Sequence, residues 1–206
     1  MINRILSSAL IGVVLTACCP MVADADVAIS KEEKVSGAKV KLKPVTISSD
    51  ATIVAEKVDI NSNDLTQPSH ATYEDMFRML EGTNLQIISQ TFVDAEKQYG
   101  VNAIALAAIA GEESGYGKSY LARNYNNLTG IAVYNENCNG RSFSSWSECI
   151  METARLLAEN YLVENGKYYN GGKGFVDVNY NYSANSKWAG NCSYIANRVY
   201  LSKLEK

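Results

Sequence analysis

Two adjacent carboxylates, Glu112 and Glu113, close a run whose preceding residues, Ala103-Ile104-Ala105-Leu106-Ala107-Ala108-Ile109-Ala110, carry no polar side chain. Gly115-Tyr116-Gly117 follows within two residues and stops the run. A carboxylic acid at the end of an apolar helix is partly stripped of water, which disfavours its charged form and raises its pKa. At the rim of a cleft such a group keeps its proton near neutral pH and can deliver it to a leaving oxygen, the task of a general acid. Helical spacing puts Glu113 on a face with Leu106, Ile109 and Ala110, and Glu112 on a face with Ala105, Ala108 and Ile109. Both faces are apolar, so spacing does not choose between the two acids. The ordinary alternative is a pair of solvated carboxylates at a frayed helix end.

What the chain lacks narrows the chemistry further. His70 is its one histidine, and it lies at the seam between two compositionally different halves. Ser-His-Asp and Cys-His nucleophile systems need a histidine base held in the site, and hydrolytic zinc sites draw on histidine ligands. No metal or cofactor is therefore expected, and catalysis falls to carboxylates or tyrosines. A net charge of −3 argues against a nucleic-acid partner, which would call for a basic surface.

The elements that must position these acids read as mainly helical. Tyr73–Leu80 is a short helix stopped at Gly82, and Leu85–Tyr99 places Leu85, Ile88, Phe92 and Ala95 at helical spacing before Gly100. Asn102 caps the apolar helix from Ala103 to about Ser114; having no polar face, it must be buried. Trp146–Val163 is amphipathic through Ile150, Ala154, Leu157 and Tyr161, and Trp188–Leu204 closes the chain. Leu128–Tyr134 and Arg141–Phe143 are expected to pair as a hairpin. The fold class is thus α+β, mainly α, in one domain.

That domain is expected to span 71–206. All 19 aromatic residues lie at or beyond Tyr73, and all three prolines precede it. Residues 26–70 mix charges with Val and Ser and contain no aromatic side chain to supply core area, so they read as a flexible tether. Residues 1–25 read as an export signal: Arg4, an uncharged stretch from Ile5 to Cys19, then Pro20 and the A-x-A site Ala23-Asp24-Ala25. The stretch falls short of the roughly 20 apolar residues of a membrane span, and none is expected once the signal is removed. Leu15-Thr16-Ala17-Cys18 offers a second exit, a lipobox-like site with a lipid anchor at Cys18. Either way the protein is exported, and a monomer is expected. Export gives meaning to Cys138, Cys149 and Cys192. Cys138 and Cys149 flank Asn139-Gly140, a turn signal, and are the natural pair for a disulfide; three reduced, buried thiols are the alternative.

The motifs around the carboxylates resemble a known family. Glu113-Ser114-Gly115-Tyr116-Gly117-Lys118-Ser119, Leu121-Ala122-Arg123-Asn124 and Asn126-Asn127-Leu128-Thr129-Gly130-Ile131 are similar, in order, to the glucosaminidase domain of bacterial peptidoglycan hydrolases, glycoside hydrolase family 73. Tyr99-Gly100-Val101-Asn102, Ser142-Phe143-Ser144-Ser145-Trp146 and Tyr182 with Trp188-Ala189 extend the likeness over roughly Tyr73 to Leu204. The resemblance implies a lysozyme-like helical domain with a cleft and a small β-hairpin lobe. It implies that Glu113 is the catalytic acid, that Tyr116 and Asn127 bind substrate, and that Tyr182 supports catalysis. The partner would be the glycan strands of peptidoglycan, cut at the β-1,4 bond following N-acetylglucosamine.

Three departures from that family's pattern bear on mechanism. Tyr116 stands where tryptophan is usual, and Thr129 where phenylalanine is usual, which is expected to loosen packing under the cleft. The hairpin lobe is short, whereas glycoside hydrolysis normally employs two carboxyl groups. Glu136 is the acid within the hairpin turn and the candidate second group; Glu148, at a helix start, reads as an ordinary N-terminal charge. Failing Glu136, water activation would fall to Tyr182 or to the substrate's own acetamido group. Two further functions share these features: a wall-binding module without activity, and a lytic transglycosylase working with a single glutamate.

Overall fold

The structure, a computed structural model, describes residues 57–132 and 140–204. The signal segment with its possible anchor at Cys18, most of the expected tether, Glu136 and Cys138 lie outside the described residues. The described chain runs α1 (Tyr73–Met79), a 3-10 turn (Asn84–Ile88), α2 (Ser89–Tyr99), α3 (Ala103–Ser114), α4 (Tyr120–Tyr125), α5 (Trp146–Asn160), α6 (Phe175–Tyr182) and α7 (Trp188–Tyr194). A π-helical segment (Ile195–Tyr200) and a 3-10 turn (Leu201–Lys203) continue α7.

The core is organised around α3. Every residue from Ala103 to Gly111 is buried, and α2, α5, α7 and the π segment all pack against this helix. Asn102 starts it by accepting from the backbone N–H groups of Ile104 and Ala105 through its side-chain oxygen, satisfying donors that a helix start leaves open. Gly115 ends it at φ +56°, a left-handed conformation that glycine adopts without steric cost. Phe92 from α2, Leu157 from α5 and Trp188 from α7 fill the surrounding space, each at most 1% exposed. Thr72 opens α1 with a reciprocal capping box to Asp75.

The folded unit begins earlier than composition suggests. Residues 57–70 are not a tether but a strap laid over the N-terminal end of α3 and the turn before α6. Leu65 is fully buried; its N–H donates to Lys173 O at 2.9 Å, and its carbonyl accepts from Asn102 N at 2.8 Å. Phe175 N donates to Ser62 O at 3.0 Å, and Asp64 and Lys173 form a parallel bridge. Glu96 on α2 clamps the strap, accepting from Ser69 N at 3.0 Å and from Ala103 N at 2.6 Å. Two aliphatic side chains, Ile60 and Leu65, and a set of hydrogen bonds to its backbone hold this segment, so its lack of aromatic residues does not exclude it from the fold.

The hairpin expected between Leu128 and Phe143 is absent among the described residues, which contain no strand. One backbone bond joins its two arms, Arg141 N to Ile131 O at 3.0 Å. The Asn127 amide replaces the rest of the ladder, donating to the carbonyls of both Ile131 and Arg141 at 3.0 Å. The described fold is therefore mainly helical, without the β lobe. It also holds two short helices, α4 and α6, in stretches to which the sequence reading assigned no helix.

Candidate active site

Glu113 lies in the last turn of α3, facing α7. Its Oε1 accepts a 2.6 Å hydrogen bond from the indole Nε1–H of Trp188. Its Oε2 faces the loop that carries Gly130, where an added Cβ would stand 3.4 Å away. Burial pushes its carboxyl above the ordinary range; the Trp188 hydrogen bond counteracts that rise, and the neighbouring charge of Glu112 adds to it. Glu112 is turned to the outer side of α7, where its Oε1 accepts from Asn191 Nδ2 at 2.7 Å. The structure thereby separates two acids that helical spacing alone leaves equivalent.

The loop opposite Glu113 is fixed by polar contacts. Asn127 is 1% exposed, and its Oδ1 accepts from Ile131 N at 3.2 Å while its Nδ2 makes the two bonds given above. With these bonds Asn127 shapes the loop from within. Thr129 does not loosen the packing. Its hydroxyl lies 2.7 Å from Thr153 Oγ1 and 3.6 Å from Cys149 Sγ, so a buried polar cluster fills the place where phenylalanine is usual in the family it resembles. Leu128 N–H donates to the same sulfur at 3.3 Å.

Tyr182 reaches this loop from α6, its hydroxyl donating to Thr129 O at 2.9 Å. Burial, reinforced by the charge of Glu113, raises its pKa well above the phenol range. The hydroxyl is thus committed as a donor to the loop that faces Glu113. Tyr116 adopts φ +60° directly after the Gly115 cap, and its ring meets Tyr200 edge-on at 6.4 Å. Both rings fit because residue 111 is glycine: a Cβ there would stand 2.8 Å from Tyr200 Oη and 3.2 Å from Tyr116 Cε1.

The remaining candidates separate plainly. Glu136 lies outside the described residues. Glu148 accepts from Ser144 N and Oγ, both at 2.6 Å, and these bonds hold its carboxyl below the usual range; it is a cap of α5, as its position suggests. Cys149 is a free, buried thiol engaged in the Thr129 cluster, and its expected partner Cys138 lies outside the described residues. No group of three His, Cys, Asp or Glu side chains that could hold a metal occurs among the described residues. Two shallow surface cavities of about 300 and 360 Å³ lie around Lys57 and Asp59, on the strap and the helices beside it; neither includes Glu113. Sequence reasoning missed Trp188 and Gly111. The signal for Trp188 is its chemistry, since a buried indole N–H seeks an acceptor.

Residues 89–206 match the model of the Glucosaminidase family, described as mannosyl-glycoprotein endo-beta-N-acetylglucosaminidase, and the chain belongs to that family. It is 29% identical over 132 residues to proteins of two Streptococcus pneumoniae strains named as candidate endo-beta-N-acetylglucosaminidases, a match covering 61% of this chain. The chain spans about a fifth of those relatives' length, 20% and 18%. Among solved structures, autolysin E of S. aureus in complex with the muropeptide NAM-L-Ala-D-iGlu superposes with a TM-score of 0.57 at 21% identity, over 72% of this chain and 75% of that one. A catalytic mutant of the same autolysin, a glutamate-to-alanine variant in complex with the disaccharide NAG-NAM, gives a TM-score of 0.56 at 21% identity, over 68% and 72%. A major bifunctional autolysin gives 0.51 at 21% identity, over 69% and 67%. These likenesses establish the mainly helical, lysozyme-like fold.

Proposed function

We propose that this protein is an exported glycoside hydrolase of peptidoglycan that cleaves the β-1,4 bond following N-acetylglucosamine, with Glu113 as the general acid. The observation that carries the reading is the Glu113 carboxyl itself. It is shielded by burial, its pKa is pushed above the ordinary carboxylate range, and it is set opposite a loop fixed in place by Tyr182. Protonation of the glycosidic oxygen by such a group assists departure of the leaving sugar as positive charge develops on the ring. The fold neighbours support the substrate class, because autolysin E is described in complex with NAG-NAM and with a muropeptide, and its catalytic mutant lacks one glutamate.

Tyr116, half-buried at the end of α3, is the proposed stacking surface for a pyranose face. Tyr182 holds the loop and does not move a proton. Water activation is then left to Glu136 or to the acetamido group of the substrate. Digestion of purified sacculi by the full chain, with mass spectrometry of the released muropeptides, tests the reading. Reducing-end N-acetylglucosamine is the expected product. Products ending in 1,6-anhydro sugars would make the protein a lytic transglycosylase, and wall binding without any release would make it a binding module; either result overturns the proposal.

A further inference from the structure

Trp188 is set apart by how completely it is fixed. It opens α7, is 1% exposed, and its ring lies between Tyr182, 5.0 Å away at 31°, and Phe175, 6.2 Å away at 78°. Its indole has one polar atom, the Nε1–H, which can donate and never accept. That N–H is directed at Glu113 Oε1 at 2.6 Å.

We propose that Trp188 is a positioning residue for the general acid: its indole N–H holds Glu113 Oε1 as an acceptor, so that the transferable proton is carried on Oε2, on the side of the Gly130 loop. The inference rests on Glu113 being the acid. A neutral carboxyl has one O–H and one acceptor oxygen, and the oxygen that receives a short N–H bond cannot also place its own proton along that line. Oε2 faces the one residue of the loop that carries no side chain, with a Cβ at Gly130 lying 3.4 Å from it. In the transfer, the Oε2–H bond breaks as an O–H bond forms to the leaving glycosidic oxygen, and that oxygen keeps the electron pair of the broken C–O bond. The carboxylate left on Glu113 then accepts the same indole N–H as a charge-assisted bond, stronger than the bond to the neutral acid. Trp188 therefore favours the product of the proton transfer over its starting state.

The groups facing Glu113 sharpen this role. Glu112 on the same helix disfavours ionisation of Glu113. Tyr182 from α6 and Cys192 from α7 are both pushed upward by burial and stay neutral. Trp188 is the partner that works in the opposite direction. Without it, the carboxyl should bind its proton more tightly and deliver it more slowly.

The test compares Trp188→Phe, which removes the N–H, with Trp188→His, whose Nε2–H falls close to the place of the indole Nε1–H. Both lose ring volume, so the difference between them isolates the hydrogen bond. In the full chain acting on sacculi, Trp188→Phe should lower kcat by about tenfold or more with little change in KM, a part of the hundredfold or larger contribution typical of a positioned acid. The alkaline limb of its pH profile should move to higher pH, and Trp188→His should move it back. Should either variant fail to melt cooperatively, the parent protein gives a second readout. The NMR resonance of the Trp188 indole proton should shift as Glu113 titrates, along the same limb, and should lose that shift in Glu113→Gln. Parental kcat and limb in Trp188→Phe, or an indole resonance indifferent to pH, would overturn the inference while an inactive Glu113→Gln left the acid assignment standing. An active Glu113→Gln would overturn that assignment instead.

Discussion

The role proposed for Glu113 rests on three neighbours that treat its two oxygens differently: Trp188 holds one, Gly130 leaves the other open, and Glu112 opposes ionisation of the whole group. A carboxyl whose pKa is raised on folding contributes stability that is fully present below its unfolded pKa and is lost as pH rises through its folded value. Glu113→Gln is neutral throughout and escapes that loss, while its side-chain oxygen can still accept from Trp188. Melting curves should therefore show the variant gaining on the parent as pH rises above the ordinary glutamate range, where the raised carboxyl of the parent ionises. A difference that stays flat, or reverses, would mean that Glu113 ionises as an exposed acid does. At this scale the sequence disclosed part of the site. A carboxylate after nine apolar or small residues announces an acid of unusual pKa, but periodicity leaves Glu112 and Glu113 equal. The choice between them is made by Trp188 and Asn191, which lie 75 and 79 residues downstream of their partners. The role of Asn127 was hidden for a similar reason: an amide that bonds two strand-like arms looks, in sequence, the same as one that binds a sugar.

Among the elements, the long helices were legible and the short ones were not. α2 shows apolar periodicity over several turns and ends at Gly100, while α3 is apolar throughout and capped at both ends by Asn102 and Gly115. α4, of 6 residues, and α6, of 8, offer too few turns for periodicity, and their tyrosines and asparagines suit loops equally well. α4 is started by Ser119, which accepts from Ala122 N, and α6 by Asp177, which accepts from Gly174 N at 3.0 Å. The junction between the strap and α3 depends on the two carboxylate oxygens of Glu96. Hydrogen bonds to a charged group contribute about 1.5–3 kcal/mol, and each deletion leaves a backbone donor without its partner. Glu96→Ala should destabilise the fold by about 2–3 kcal/mol in chemical denaturation, with the slope of the transition unchanged. A loss below about 0.5 kcal/mol, the range of ordinary surface substitutions, would show that the clamp does not hold the strap.

For the whole molecule, the consequential boundary is the start of the folded unit. Composition placed it at residue 71, since aromatic side chains supply much of a core; the strap enters the core through Ile60, Leu65 and backbone pairing instead. A fragment beginning at Thr52 should melt cooperatively close to the full chain. One beginning at Ala71 should lose the contribution of buried Leu65, about 2–5 kcal/mol, together with the Ser69 N–H that donates to Glu96 and the Leu65 carbonyl that accepts from Asn102 N, and should be largely unfolded at physiological temperature. Equal melting temperatures for the two fragments would return residues 57–70 to the status of a tether. The same compact unit carries the central claim, that Glu113 and not Glu112 donates the proton. The most direct measurement is release of soluble muropeptides from sacculi by Glu113→Gln and Glu112→Gln, each confirmed folded by its melting curve. The account predicts a loss of at least a hundredfold for Glu113→Gln, the scale of a general acid's contribution, and activity within about tenfold of the parent for Glu112→Gln, whose contacts lie on the outer side of α7. Release by Glu113→Gln within tenfold of the parent, or an equal loss in Glu112→Gln, would contradict it.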